Sequence, residues 1–126
     1  MMSESDLPSP APAPAEPALV TRAYDLLLWL VKHVEKFPRA HRYTVGEQMQ
    51  AAGLAVVLLL VEAAYTGEKI PILRRAIVEL EKLRFLIRLG KDLGFTSLKQ
   101  YEHASKEVVG LSQQVGGWVR QQRRRG

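Results

Sequence analysis

TVGEQMQAAGLAVVLLLVEAAY, residues 44–65, is the stretch that decides the fold. Thr44 and Glu47 stand at the spacing of a capping box, in which the hydroxyl and the carboxylate each satisfy a free backbone N–H at a helix start. From residue 49 to residue 65 the segment is apolar almost all round, so it must be covered on more than one side and is expected to be the central helix of a bundle. Its continuous apolar run, residues 51–61, is bounded by Gln50 and Glu62 and is eleven residues long. A bilayer span needs roughly 20. The segment therefore reads as a buried helix of a soluble protein, and Glu62 is expected to need an ion-pair partner.

Three more helices follow on either side. Val20, Tyr24, Leu27, Val31 and Val34 recur at 4-3-4-3 spacing, the core stripe of a first helix that starts near Pro17 or Ala18 and ends at Phe37-Pro38. Gly67 breaks the central helix, Pro71 sits in the first turn of the third, and Gly94 ends that helix near Asp92. Its core positions are Leu73, Ile77, Leu80, Leu83 and Ile87. Ser97 and Gln100 make a second capping box, followed by Leu98, Tyr101, Ala104, Val108, Leu111, Val115 and Trp118 in a heptad-like stripe. Gly110, Gly116 and Gly117 either weaken this last helix, by up to about 1 kcal/mol each relative to Ala, or permit close backbone approach. Nothing reads as a strand. Short connections make consecutive helices antiparallel, so the expected fold is all-α: an up-down-up-down four-helix bundle.

Composition adds boundaries and charge. The 126 residues, 47% of them hydrophobic, suit one domain. Pro8, Pro10, Pro12, Pro14 and Pro17 alternate with Ala and Ser, so residues 1–17 are expected to be an extended, disordered arm, residues 18–120 the bundle and residues 121–126 a basic tail. The arm holds Glu4, Asp6 and Glu16 and no Lys or Arg, so the net charge rises from +5 for the chain to +8 without it. Such an excess favours nucleic acid, an anionic membrane or an acidic protein as partner. The lack of cysteine excludes disulfides, thiolate metal sites and a cysteine nucleophile, and fits a reducing interior. No basic stretch followed by an apolar run opens the chain, so a cytoplasmic location is expected.

No catalytic constellation stands out. His33, His41 and His103 lie in separate segments without a carboxylate or second histidine at a metal-ligand spacing, and read as surface or capping residues. Ser97, Ser105 and Ser112 lack a nucleophile-elbow pattern, and no glycine-rich phosphate loop occurs, so neither catalysis nor a metal or cofactor is expected. The cations are better organised. Lys36, Arg39, His41 and Arg42 are interleaved with Phe37 and Tyr43, a mixture suited to phosphate contact and base stacking; the alternative is a solvated charged loop. Arg84 and Arg88 lie one turn apart on one helical face, with Glu81 and Asp92 within reach as local partners. Arg74, Arg75, Lys82 and Arg120 add to the positive charge, and Arg123, Arg124 and Arg125 close the chain. On the far side of the third helix Val78, Phe85 and Leu89 form a second apolar face, which with the central helix points to a homo-oligomer.

Phe37-Pro38-Arg39-Ala40-His41-Arg42-Tyr43, Leu83-Arg84-Phe85-Leu86-Ile87-Arg88 and Gly116-Gly117-Trp118-Val119, taken in this order and spacing, resemble the accessory variability determinant (Avd) proteins of diversity-generating retroelements. These belong to a broader group of small four-helix bundles that includes proteins encoded in ribosomal RNA intervening sequences. The resemblance covers most of residues 18–120. It implies a basic, barrel-like homopentameric ring that binds RNA and DNA without sequence preference and associates with the element's reverse transcriptase during mutagenic retrohoming. The family's basic positions fall on Arg84 and Arg88 and, in the connection, on Arg39 and Arg42. Arg74, Arg75, Lys82 and Arg120 are nominated by charge placement alone. The alternative is a protein-interaction scaffold of the intervening-sequence type with an acidic partner.

Overall fold

The computed structural model describes residues 16–125, and among them every regular element is helical. Four long helices, α1 (Glu16–Val34), α2 (Glu47–Tyr65), α3 (Lys69–Asp92) and α4 (Leu98–Arg125), make the expected bundle. α2 packs between α1 and α3, α3 packs between α2 and α4, and α1 meets α4 along a slighter seam. The arm expected over residues 1–17 lies outside the described residues, except that Glu16 and Pro17 open α1. Arg123, Arg124 and Arg125, expected in a tail, are the last turn of α4.

Leu30, Met49, Leu60, Leu73, Leu80, Leu83 and Leu111 are fully enclosed at the centre. Two core stripes differ from expectation. On α1 the buried positions are Leu19, Ala23, Leu26, Leu30 and Val34, while Tyr24 is 55% exposed. Residues 26–31 are all apolar, so two stripes of helical spacing run side by side and meet at Val34, and only the neighbouring helix selects between them. Gly53 of α2 does so: a Cβ there would lie 2.9 Å from Leu30 Cδ1, so its absence seats Leu30 inward. At the head of α4, Leu98 is 62% exposed because it precedes the first turn that reaches α3.

The start of α2 also differs. The capping box at Thr44 does not form, because helical backbone begins earlier, at Arg39 behind Pro38, and passes through a π turn, Arg42–Gly46, into α2. Thr44 is already inside the helix, and its hydroxyl donates to the carbonyls of Ala40 and His41, each at 3.4 Å. Gly46 makes the wide turn fit against α1, since a Cβ there would lie 2.6 Å from Val34 Cγ1 and 3.2 Å from Phe37 Cδ2. The second box does form: Ser97 N–H donates to Gln100 Oε1 at 2.8 Å and Gln100 N–H to Ser97 Oγ at 3.1 Å. Gly94, with φ +91°, turns the chain after α3 in the left-handed region that favours glycine.

The uninterrupted helical run Arg39–Tyr65 is 27 residues long and contains an 18-residue window of mean hydropathy 1.5, long and apolar enough to cross a membrane by length and composition. The count of eleven apolar residues missed this. Met49, Val56, Leu60 and Ala63 nonetheless pack in the bundle core, while Leu54, Leu58, Val61 and Tyr65 form an uncovered stripe on the opposite side. Glu62, expected to be buried and paired, is exposed, with no ion pair among the described residues.

His33 corrects the expectation of surface histidines. It is buried at the end of α1, its Nε2 2.8 Å from Thr96 Oγ1 in the connection between α3 and α4. Its ring stacks on Trp29 at 4.6 Å and meets Phe37 edge-on at 5.0 Å. Desolvation by burial, and secondarily the nearby Lys36 charge, hold its pKa below the ordinary 6.5.

Two outcomes are expected. Because folded His33 takes up a proton less readily than unfolded His33, its contribution is complete above about pH 6.5 and is lost as pH falls below that value. Denaturation midpoints measured from about pH 8 to about pH 5 should show this decline, and His33→Gln should flatten it. Gly46→Ala should cost about 1–3 kcal/mol in urea unfolding, because its methyl group overpacks Val34.

Candidate functional site

Every Lys and Arg of the chain lies outside residues 47–65; the exposed charges of α2 are the carboxylates Glu47 and Glu62, beside an exposed stripe that is apolar. The cations therefore fall on α1, on the connection before α2, and above all on α3 and α4. The fold sorts them into three sets.

The first set serves the fold. Arg42 Nη2 donates to the carbonyls of Glu35 at 3.1 Å and Phe37 at 3.3 Å, at the C-terminal end of α1. Lys69 Nζ does the same for α2, donating to Ala63 O at 2.7 Å and Thr66 O at 2.8 Å. Free carbonyls at a helix C-terminus carry partial negative charge and lack intrahelical partners, and in each case the segment that follows supplies a cation. Arg22 bridges α1 and α4, its Nε donating to Glu107 Oε2 at 3.0 Å and its Nη1 to Gln114 Oε1 at 3.0 Å. Its guanidinium lies directly on Gly110, where any Cβ would collide. This is the close approach expected of a glycine in the last helix. Gly116 and Gly117 meet only Arg120, at 3.5 and 3.7 Å.

The second set is paired locally. Lys82 meets Glu79 at 3.2 Å, Arg84 meets Glu81 at 3.1 Å and Arg88 meets Asp92 at 3.8 Å, all within α3. These side chains are largely solvated, and exposed pairs of this kind contribute only about 0–1 kcal/mol. An incoming phosphate can compete for them. The third set is exposed and without an ion pair among the described residues: it holds the nominated Arg39, Arg74, Arg75 and Arg120, together with Lys32, Lys36, Lys99, Lys106, Arg123, Arg124 and Arg125.

The aromatic residues of the basic connection do not behave as expected. Phe37 is only 2% exposed and packs on Phe95 at 4.3 Å, so it cannot stack on a base. His41 is stacked on Phe95 at 5.0 Å, which leaves Tyr43, 65% exposed, as the free ring of that segment. The sequence reading missed a different grouping: Arg84, Phe85 and Arg88 of α3 and Tyr101 of α4 bound a cleft of about 160 Å³. Lys91 Nζ stands 4.5 Å from the centroid of the Tyr101 ring. Arg84 and Arg88 bracketing Phe85 was the available signal, but Tyr101 joins them only through the turn at Gly94. Val78, Phe85 and Leu89 do face solvent, with Leu89 in a shallow hollow shared with Gln48, Lys82 and Leu86. Among the described residues no group of three or more His, Cys, Asp or Glu could hold a metal ion.

A family model described as bAvd-like matches residues 18–122, and the chain belongs to that family, of the accessory variability determinant type. Membership points to an accessory role in diversity-generating retroelements. No curated protein and no solved structure matches the chain.

The capping arginine and the unpaired one are expected to part company on substitution. Arg42→Ala should lower unfolding free energy by about 1 kcal/mol, the usual net worth of such hydrogen bonds. Arg39→Ala should fall within about 0.5 kcal/mol of the parent in the same urea titration.

Proposed function

We propose that this bAvd-like chain is a non-catalytic, cytoplasmic accessory subunit that holds template RNA or complementary DNA by phosphate contacts and presents it to the reverse transcriptase of a diversity-generating retroelement during mutagenic retrohoming. The observation that carries the reading is the third set of cations. Arg39, Arg74, Arg75 and Arg120 are exposed on helical segments with no ion-pairing carboxylate among the described residues. Arg84, Arg88 and Lys82 join them once weak local pairs exchange for phosphate. Arg42 is left out, because it caps α1.

Self-association multiplies this surface. Leu54, Leu58, Val61 and Tyr65 follow helical spacing along one side of α2, and with Val78 and Leu89 of α3 they leave apolar area that a single protomer does not cover. The family resemblance gives the closed form such contacts take, a ring of five protomers. Each copy then adds its cations to one continuous positive face, which raises affinity without any new type of contact.

Phosphate binding releases counterions, so affinity for single-stranded RNA should fall steeply with salt, each contact contributing about −0.7 to the slope of log K against log salt. Replacing Arg39, Arg74, Arg75 and Arg120 together by Ala should make that slope shallower by up to about 3. A flat salt dependence of the parent protein would overturn the reading. Leu58→Asp should dissociate the assembly in light scattering while helical content by circular dichroism stays unchanged; an unchanged mass excludes the α2 stripe as the interface.

A further inference from the structure

We infer that the cleft bounded by Arg84, Phe85, Arg88 and Tyr101 receives an unpaired base of a single-stranded nucleic acid, and that this site makes the protein prefer single strands to duplex. The inference rests on the polyanion reading above and names the form of the ligand at that surface. Phe85 is 61% exposed, although it sits in a helix with ample core to enter. Arg84 Cζ is 5.8 Å from the centroid of its ring, and Arg88, one turn later on the same helix, lines the cleft as well. Tyr101 of α4 also lines the cleft, with Lys91 Nζ 4.5 Å from its ring centroid. A recess of about 160 Å³ lined by two aromatic side chains and two arginines has room for a flat ring and little more.

The combination is specific in its chemistry. A stacked base satisfies an exposed aromatic face whatever its identity, and the flanking phosphates satisfy the arginines, so recognition is tolerant of sequence. Duplex bases are stacked inside the helix and cannot enter. An acidic peptide would use the arginines but not the ring-sized gap. A second copy seated two-fold on this cleft would bring Arg84 and Arg88 against their own like charges, and a head-to-tail neighbour would have to fill the cleft with a flat ring and supply carboxylates to both arginines. The cations that disfavour a homotypic contact favour a phosphodiester chain.

The test uses the full chain and three probes of equal length in fluorescence anisotropy: single-stranded RNA, the same strand without bases, and a duplex. The parent protein is expected to bind the single strand most tightly. Phe85→Ala should weaken single-strand binding about tenfold, leave the duplex, the abasic strand and the salt slope unchanged, and be rescued by Phe85→Trp. Light scattering should give the same assembly mass for parent and variant. Equal affinity of the parent for all three probes, or a Phe85→Ala loss shared by all three, would sink the stacking site and leave the phosphate reading standing. A variant that changes the assembly mass would place Phe85 in a protein interface instead. Binding to none of the probes would remove both.

Discussion

The structure depends on a helix that carries no positive charge. α2 buries Met49, Val56, Leu60 and Ala63 between α1 and α3, and Gly53 lets α1 close onto it. Burial of apolar area at roughly 25 cal/mol per Å² makes these contacts a main source of cohesion in the bundle. Its remaining side, Leu54, Leu58, Val61 and Tyr65, is apolar as well. The cations are carried by the rest of the chain, above all by α3 and α4, while the exposed charges of α2 are the carboxylates Glu47 and Glu62. The apolar side and the basic side of the molecule are thereby kept apart.

A second constraint sorts the cations that remain. Every helix C-terminus leaves carbonyls without partners, and here Arg42, from the connection after α1, and Lys69, the first residue of α3, supply donors to them. Arg22 ties the slight α1–α4 seam through Glu107 and Gln114. These side chains are part of the framework in the same sense as the leucines. What is left over, chiefly on α3 and α4, is exposed and either unpaired or paired weakly within a single helix. Functional charge is the residue after structural demand has been met, which is why a count of arginines overstates the binding surface.

The helix number, the antiparallel order and the end of α3 were legible in the sequence because glycine, proline and apolar spacing act locally. Gly94 and the Ser97–Gln100 box behave as their residue types require. Thr44–Glu47 has the same local signature and no cap, because the chain is already helical from Arg39 and Gly46 nests against Val34 and Phe37. Local pattern cannot see that contact. The α1 stripe was displaced for a like reason: six consecutive apolar residues offer two faces, and only Gly53 decides between them. Of the candidate site, the arginines of α3 were readable as an exposed pair. The loss of Phe37 to the core and the approach of Tyr101 to Phe85 were not, since both depend on which helices become neighbours.

If the absence of Lys and Arg from α2 is what sets the binding face, that face must lie on the segment at Arg39, on α3 and on α4, and nowhere along the apolar stripe. Mass-spectrometric mapping of photo-induced cross-links between bound single-stranded RNA and the full chain tests this most directly. The account predicts cross-linked peptides from residues 69–92 and 98–125 and from the segment around Arg39. Cross-links concentrated in residues 47–65 would contradict it.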